Sequence, residues 1–122
     1  MKLHLTKAAG RNLFTGYGEG YVAINDQRYT HSVIVAPEGA VEQWAPASLD
    51  ALTAADFDAL RGRSPELVIL GTGAHHRFPK PDVIRPLVTG GIGFEAMDTK
   101  AACRTYNILM AEGRQVIAAI LL

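Results

Sequence analysis

Cysteine is almost missing from this chain. The single residue, Cys103, has no partner for an internal disulfide, which fits a reducing compartment. Long apolar runs are missing as well. The longest, Val116 to Leu122, falls far short of the ~20 residues a membrane-spanning helix requires, so the chain is not expected to span a bilayer. There is no excess of charge of either sign: lysine plus arginine and aspartate plus glutamate number 12 each. That leaves no overall basic field for nucleic acid. The opening residues, Met1-Lys-Leu-His-Leu-Thr-Lys, lack the apolar core of a secretory signal. These absences point to a cytoplasmic protein. Repeats, low-complexity tracts and linkers are also absent. The 122 residues therefore read as a single domain, 1–122, large enough to bury about two-thirds of its unfolded surface without a metal or disulfide.

What is present is concentrated in the second half. Val116-Ile-Ala-Ala-Ile-Leu-Leu has no polar alternation, the mark of a strand buried on both faces and covered by helices. Leu67-Val-Ile-Leu reads the same way and ends at Gly71-Thr72-Gly73. Between them the pattern predicts a helix over 81–88, opened by Pro81, with Val83, Ile84, Leu87 and Val88 as its apolar stripe. Pro86 within it removes a backbone donor, and Gly90-Gly91 stops it. A strand follows over 93–97. A longer helix, capped by Asp98 or Thr99, then runs to Glu112 with Gly113 at its end. Strand–helix–strand–helix–strand requires two crossovers, each right-handed. The expected fold is α/β: a mixed central sheet with two βαβ crossovers in the C-terminal half, an N-terminal antiparallel hairpin and three helices.

The first half is less regular. Residues 1–20 are polar and rich in glycine, so an irregular or short extended lead is expected. Residues 21–25 and 28–35 read as a hairpin turning at Asn25-Asp26, residue types that tolerate positive φ. In its second arm Tyr29, His31, Val33 and Val35 share one face. A short strand is expected near Val41–Trp44. A third helix follows Thr53, an N-cap supported by Asp56, and buries Phe57 and Leu60.

Few residues suggest chemistry. Gly71-Thr72-Gly73 lies between a strand and a helix, where glycine lets a ligand approach backbone. A dinucleotide fingerprint would need glycine where His76 stands, and a P-loop would need Gly-Lys-Ser/Thr. A tight turn at the strand end, with the glycines serving backbone conformation, is the favoured explanation. His75-His76-Arg77 is a cationic loop with no third metal ligand at a recognisable spacing, so no metal and no cofactor are expected. Cys103, flanked by small residues in a helix interior, reads as inert packing. Lys100, Arg104 and Asn107 fall on one helical face. That face is either solvated or a recognition strip beside Thr72 and the His75–Arg77 loop, because both follow carboxyl ends of strands. The candidate ligand site is therefore Thr72, Gly73, His75, Arg77, Thr99, Arg104 and Asn107.

The segments Leu67–Gly73, Pro79, Pro81, Gly91-Ile-Gly-Phe-Glu-Ala-Met, Thr99, Ala102, Tyr106-Asn-Ile-Leu and Glu112-Gly-Arg-Gln-Val-Ile-Ala-Ala resemble a family of domains of unknown function. That family includes the mitochondrial respiratory complex I assembly factor 3, an adipogenesis-associated cytosolic protein and short bacterial members. The resemblance implies a mixed sheet with helices and a small antiparallel extension. It carries no reaction with it. Its mitochondrial member acts as an assembly partner, and the targeting extension that role requires is not seen here. The chain therefore reads as a small bacterial member, a non-catalytic protein-interaction module with a protein partner. The alternative is a protein, enzymatic or not, that binds a small anion at the carboxyl ends of the strands.

Overall fold

The computed structural model describes residues 10–122; the part of the expected irregular lead over 1–9 lies outside the described residues. In chain order the strands are β1 (Phe14–Gly18), β2 (Tyr21–Ile24), β3 (Gln27–Tyr29), β4 (Val33–Val35) and β5 (Glu42–Gln43). Helix α1 (Ala54–Arg61) follows a short 3-10 turn over Leu49–Ala51. Then come β6 (Leu67–Gly71), α2 (Pro81–Thr89), β7 (Gly93–Met97), α3 (Thr99–Ala111) and β8 (Val116–Ile120).

A five-stranded sheet has the order β5-β4-β8-β6-β7. β6 pairs in parallel with both β7 and β8, while β4 runs antiparallel to β8. The unbroken apolar strand is thus the middle one, as its composition requires. Its residues divide between two cores. Val116, Ala118 and Ile120 face α3, together with Ile69, Val33 and Val35. Ile117, Ala119 and Leu121 face α1 and α2, together with Val68, Leu70 and Ile34. In the second core Phe57 lies between Trp44 and Phe94, with ring centroids 5.8 and 5.7 Å apart. Among the described residues no helix is long and apolar enough to cross a membrane.

The local signals in this half hold. Asp98 is the N-cap of α3, its Oδ1 accepting from Ala101 N at 2.8 Å. Asp56 Oδ2 accepts from Thr53 N at 2.8 Å at the start of α1. Helix α2 continues through Pro86 to Thr89.

The N-terminal half differs from expectation in two places. Residues 14–18 take the extended form allowed for the lead, but where a two-stranded hairpin was expected β1 joins β2 and β3 in a separate three-stranded antiparallel sheet. The expected turn at Asn25-Asp26 is present, with φ of 49° and 70°. The second arm, however, is not one strand over 28–35. It breaks at 30–32, so that β3 belongs to the small sheet and β4 to the large one. Ser32 marks the break: buried, it accepts on Oγ from Leu122 N at 2.9 Å. His31 is exposed rather than part of the inward face.

Candidate functional site

The parallel strands bring three chain ends to one edge of the sheet. They are Gly71–Gly73 after β6, Asp98–Lys100 after β7, and Leu121–Leu122 after β8. Connections from adjacent strands β6 and β7 leave toward opposite faces, β6 toward the core under α2 and β7 toward the core under α3. Such reversals are where open α/β sheets form ligand crevices. Here the crevice itself is stitched shut. Thr72 N donates to Met97 O at 2.8 Å and Thr99 N to Gly73 O at 2.8 Å. Gly73 N donates to Thr99 Oγ1 at 3.1 Å.

The opening lies beside the stitched crevice, toward β8. A cleft of about 760 Å³ is bounded by the β1–β2 turn over 17–20, the loop over 47–49 and the three strand ends. Its walls are mainly apolar, with Tyr17, Leu49 and Leu121 prominent. Two glycines shape it. Gly73 has φ +92°, and a Cβ there would meet nothing within 4 Å, so it supplies a left-handed turn that leaves the cleft open. A Cβ on Gly18 would come within 2.3 Å of the Tyr21 ring. That ring in turn carries the Arg28 guanidinium, 4.1 Å above its centroid.

Polar groups at the rim are divided. Thr72 Oγ1 is used locally, lying 2.6 Å from His75 O and accepting from Arg77 N at 3.3 Å. The Asp98 carboxylate is committed to the helix cap. Arg77 lies 3.4 Å from Asp50, with half its side chain exposed, and Lys100 is exposed at the mouth. Glu19 completes the charged groups of the lining.

Of the seven candidate site residues, Thr72, Gly73, Arg77 and Thr99 come together in this cleft. His75 is exposed on the loop beyond it, and Arg104 is exposed on α3 one turn past Lys100; neither lines the cleft. Asn107 is somewhere else altogether. It is buried, 2% exposed, and its amide grips the free edge of β1: Phe14 N donates to its Oδ1 at 2.9 Å and its Nδ2 donates to Phe14 O at 2.8 Å. The strip Lys100–Arg104–Asn107 therefore runs from the mouth of the cleft into a buried contact, because the small sheet covers the far end of α3. Sequence reasoning missed the walls at 17–20, 47–49 and Leu121–Leu122. The spacing of Gly16, Gly18 and Gly20 was their one visible trace.

Two groups near α3 are displaced in acidity, both in the core. Burial pushes the Cys103 thiol from its ordinary 9.0 up to about 12, against a lowering backbone hydrogen bond. Burial also raises the Tyr106 phenol, against the opposing charge of Arg11. Cys103 is fully buried, the setting of an unreactive thiol. Among the described residues no group of three or more His, Cys, Asp or Glu side chains could hold a metal.

Comparisons with known proteins agree with this fold. A Bordetella parapertussis protein of known crystal structure is 44% identical and superposes with a TM-score of 0.88, covering 94% of this chain and 98% of its own. Assembly factor 3 of the NADH dehydrogenase (ubiquinone) 1 alpha subcomplex from Bos taurus is 34% identical over 104 residues, 84% of this chain; the match spans 55% of that relative's length. The 13 kDa major membrane protein of Francisella tularensis is 26% identical over 122 residues, 99% of each chain. The family model described as a protein of unknown function (DUF498/DUF598) matches residues 14–121, and the chain belongs to that family.

Proposed function

We propose that this chain is a non-catalytic protein-interaction module of the assembly-factor kind, working in the cytoplasm. The similarity to the bovine assembly factor over 84% of the chain carries this reading. The site supports it. Thr72, Thr99 and Asp98 spend their polar atoms on holding turns and a helix cap. At the same edge the loop over 74–80 presents Phe78, 67% exposed, the most exposed large apolar side chain among the described residues. Its ring lies tilted against His76, with centroids 4.9 Å apart. Exposed aromatics and arginine are residue types that anchor protein interfaces, and here Arg77 precedes Phe78 in the chain.

The test is affinity capture of the tagged protein from its native host, run in parallel with Phe78→Ser and a tag-only control. The expected result is a partner held by the wild type and lost by Phe78→Ser at unchanged melting temperature. Identical captures from the wild type and the tag alone would overturn the reading. Cell fractionation tests the location, and recovery wholly with membranes would contradict it.

A further inference from the structure

The geometry points to the cleft at the strand ends as a binding site for a small amphipathic carboxylate, a molecule with an apolar body and one anionic head. This does not rest on the partner reading, which the similarity to the bovine assembly factor carries, although Arg77 is used in both. Three observations converge on it. A cleft of about 760 Å³ lies within the range of small-molecule sites and, like them, is mainly apolar with a few polar groups. Its position is the carboxyl edge of parallel strands, beside the point where connections reverse. Its lining includes the buried Tyr17 and Leu121, 8% and 5% exposed, and the half-buried Leu49.

The head group follows from the charges at the mouth. Of the two carboxylates in the lining, Asp98 is engaged by the first turn of α3, where its Oδ1 accepts from Ala101 N. Glu19 stands on the β1–β2 turn. The cations are less engaged. Lys100 is exposed at the mouth, and among the described residues the Arg77 side chain is held only by a 3.4 Å contact to Asp50, whose side chain is 86% exposed. Such a contact is weak and easily exchanged. Arg77 offers a planar fork matched to a carboxylate, and Lys100 a mobile ammonium. An apolar body on Tyr17 and Leu121 would leave its carboxylate at these two groups.

The test uses titration calorimetry with decanoate below its micellar concentration, with decanol as the neutral match and acetate as the head alone. The wild type should bind decanoate in preference to decanol and acetate. Arg77→Gln/Lys100→Gln should weaken decanoate by about tenfold or more, and leave decanol unchanged. Ala47→Trp, which fills the cleft from an exposed position, should abolish binding while the protein still melts cooperatively. Three results would overturn the assignment: no decanoate binding by the wild type, equal binding of decanoate and decanol, or full binding retained by Ala47→Trp.

Discussion

The two sheets of this protein are held in different ways. The five-stranded sheet is stabilised by burial on both faces, with β8 in the middle and helices or the small sheet on either side. The three-stranded sheet has one apolar face, Phe14, Val22 and Ile24, and is fastened by specific long-range hydrogen bonds. Asn107 completes the edge of β1, Tyr106 Oη donates to Asn12 O at 3.0 Å, and Asn12 Nδ2 donates to Ala36 O at 2.9 Å. The first region is buried on both faces, while the second adds a few long-range polar contacts to a single apolar face. The cleft lies between them: one wall is the β1–β2 turn and the others are the strand ends of the large sheet.

Mutations can break this contrast in graded steps. Deleting Val116–Leu122 should abolish folding. It removes five large apolar side chains at roughly 1.5–3 kcal/mol each, enough to consume a net stability of about 5–15 kcal/mol; a cooperative thermal transition in the truncated chain would refute the central role of β8. Asn107→Ala should cost about 2–5 kcal/mol in urea unfolding, since it strands a buried backbone donor and acceptor at Phe14. An equal loss from Leu109→Ala, a partly buried apolar neighbour on the same helix, would show that the polar clamp has no special weight. Cys103→Ala should cost no more than about 1–2 kcal/mol, and the native thiol should resist labelling. The same cysteine gives a pH signature. Its folded pKa lies above its ordinary value, so the unfolded chain loses its proton first. That contribution to stability is intact below pH 9 and declines as pH rises toward about 12. Cys103→Ala should flatten this alkaline decline, measured by urea unfolding across that range. Arg77→Gln should be the mildest change, under about 0.5 kcal/mol, because its pairing with Asp50 is exposed.

The same contrast explains what could be read from the sequence. The α/β half was legible because its signals are local: the apolar run at 116–122, proline at 81, the cap at Asp98 and the glycine at 113 each act within a few residues. That Thr72, Gly73 and Thr99 share one edge followed from topology, since strand ends in parallel crossovers lie together. The small sheet was only half legible. Its turn at Asn25-Asp26 is a local signal, but the outer edge of β1 is completed by α3, whose Asn107 bonds Phe14 from 93 positions away, and no short-range pattern encodes that. Asn107 was misplaced for the same reason. Helical spacing puts it in line with Lys100 and Arg104, while the covering sheet gives it a different environment. Ser32 likewise divides an arm that reads as continuous, through a contact with Leu122 90 positions away.

Native-state hydrogen exchange on Asn107→Ala tests the central contrast most directly. The account predicts that amides of β1, β2 and β3 lose protection while those of β6 and β8 keep it, because the clamp fastens one sheet and burial sustains the other. Uniform loss of protection across both sheets, or no change in residues 14–29, would contradict it.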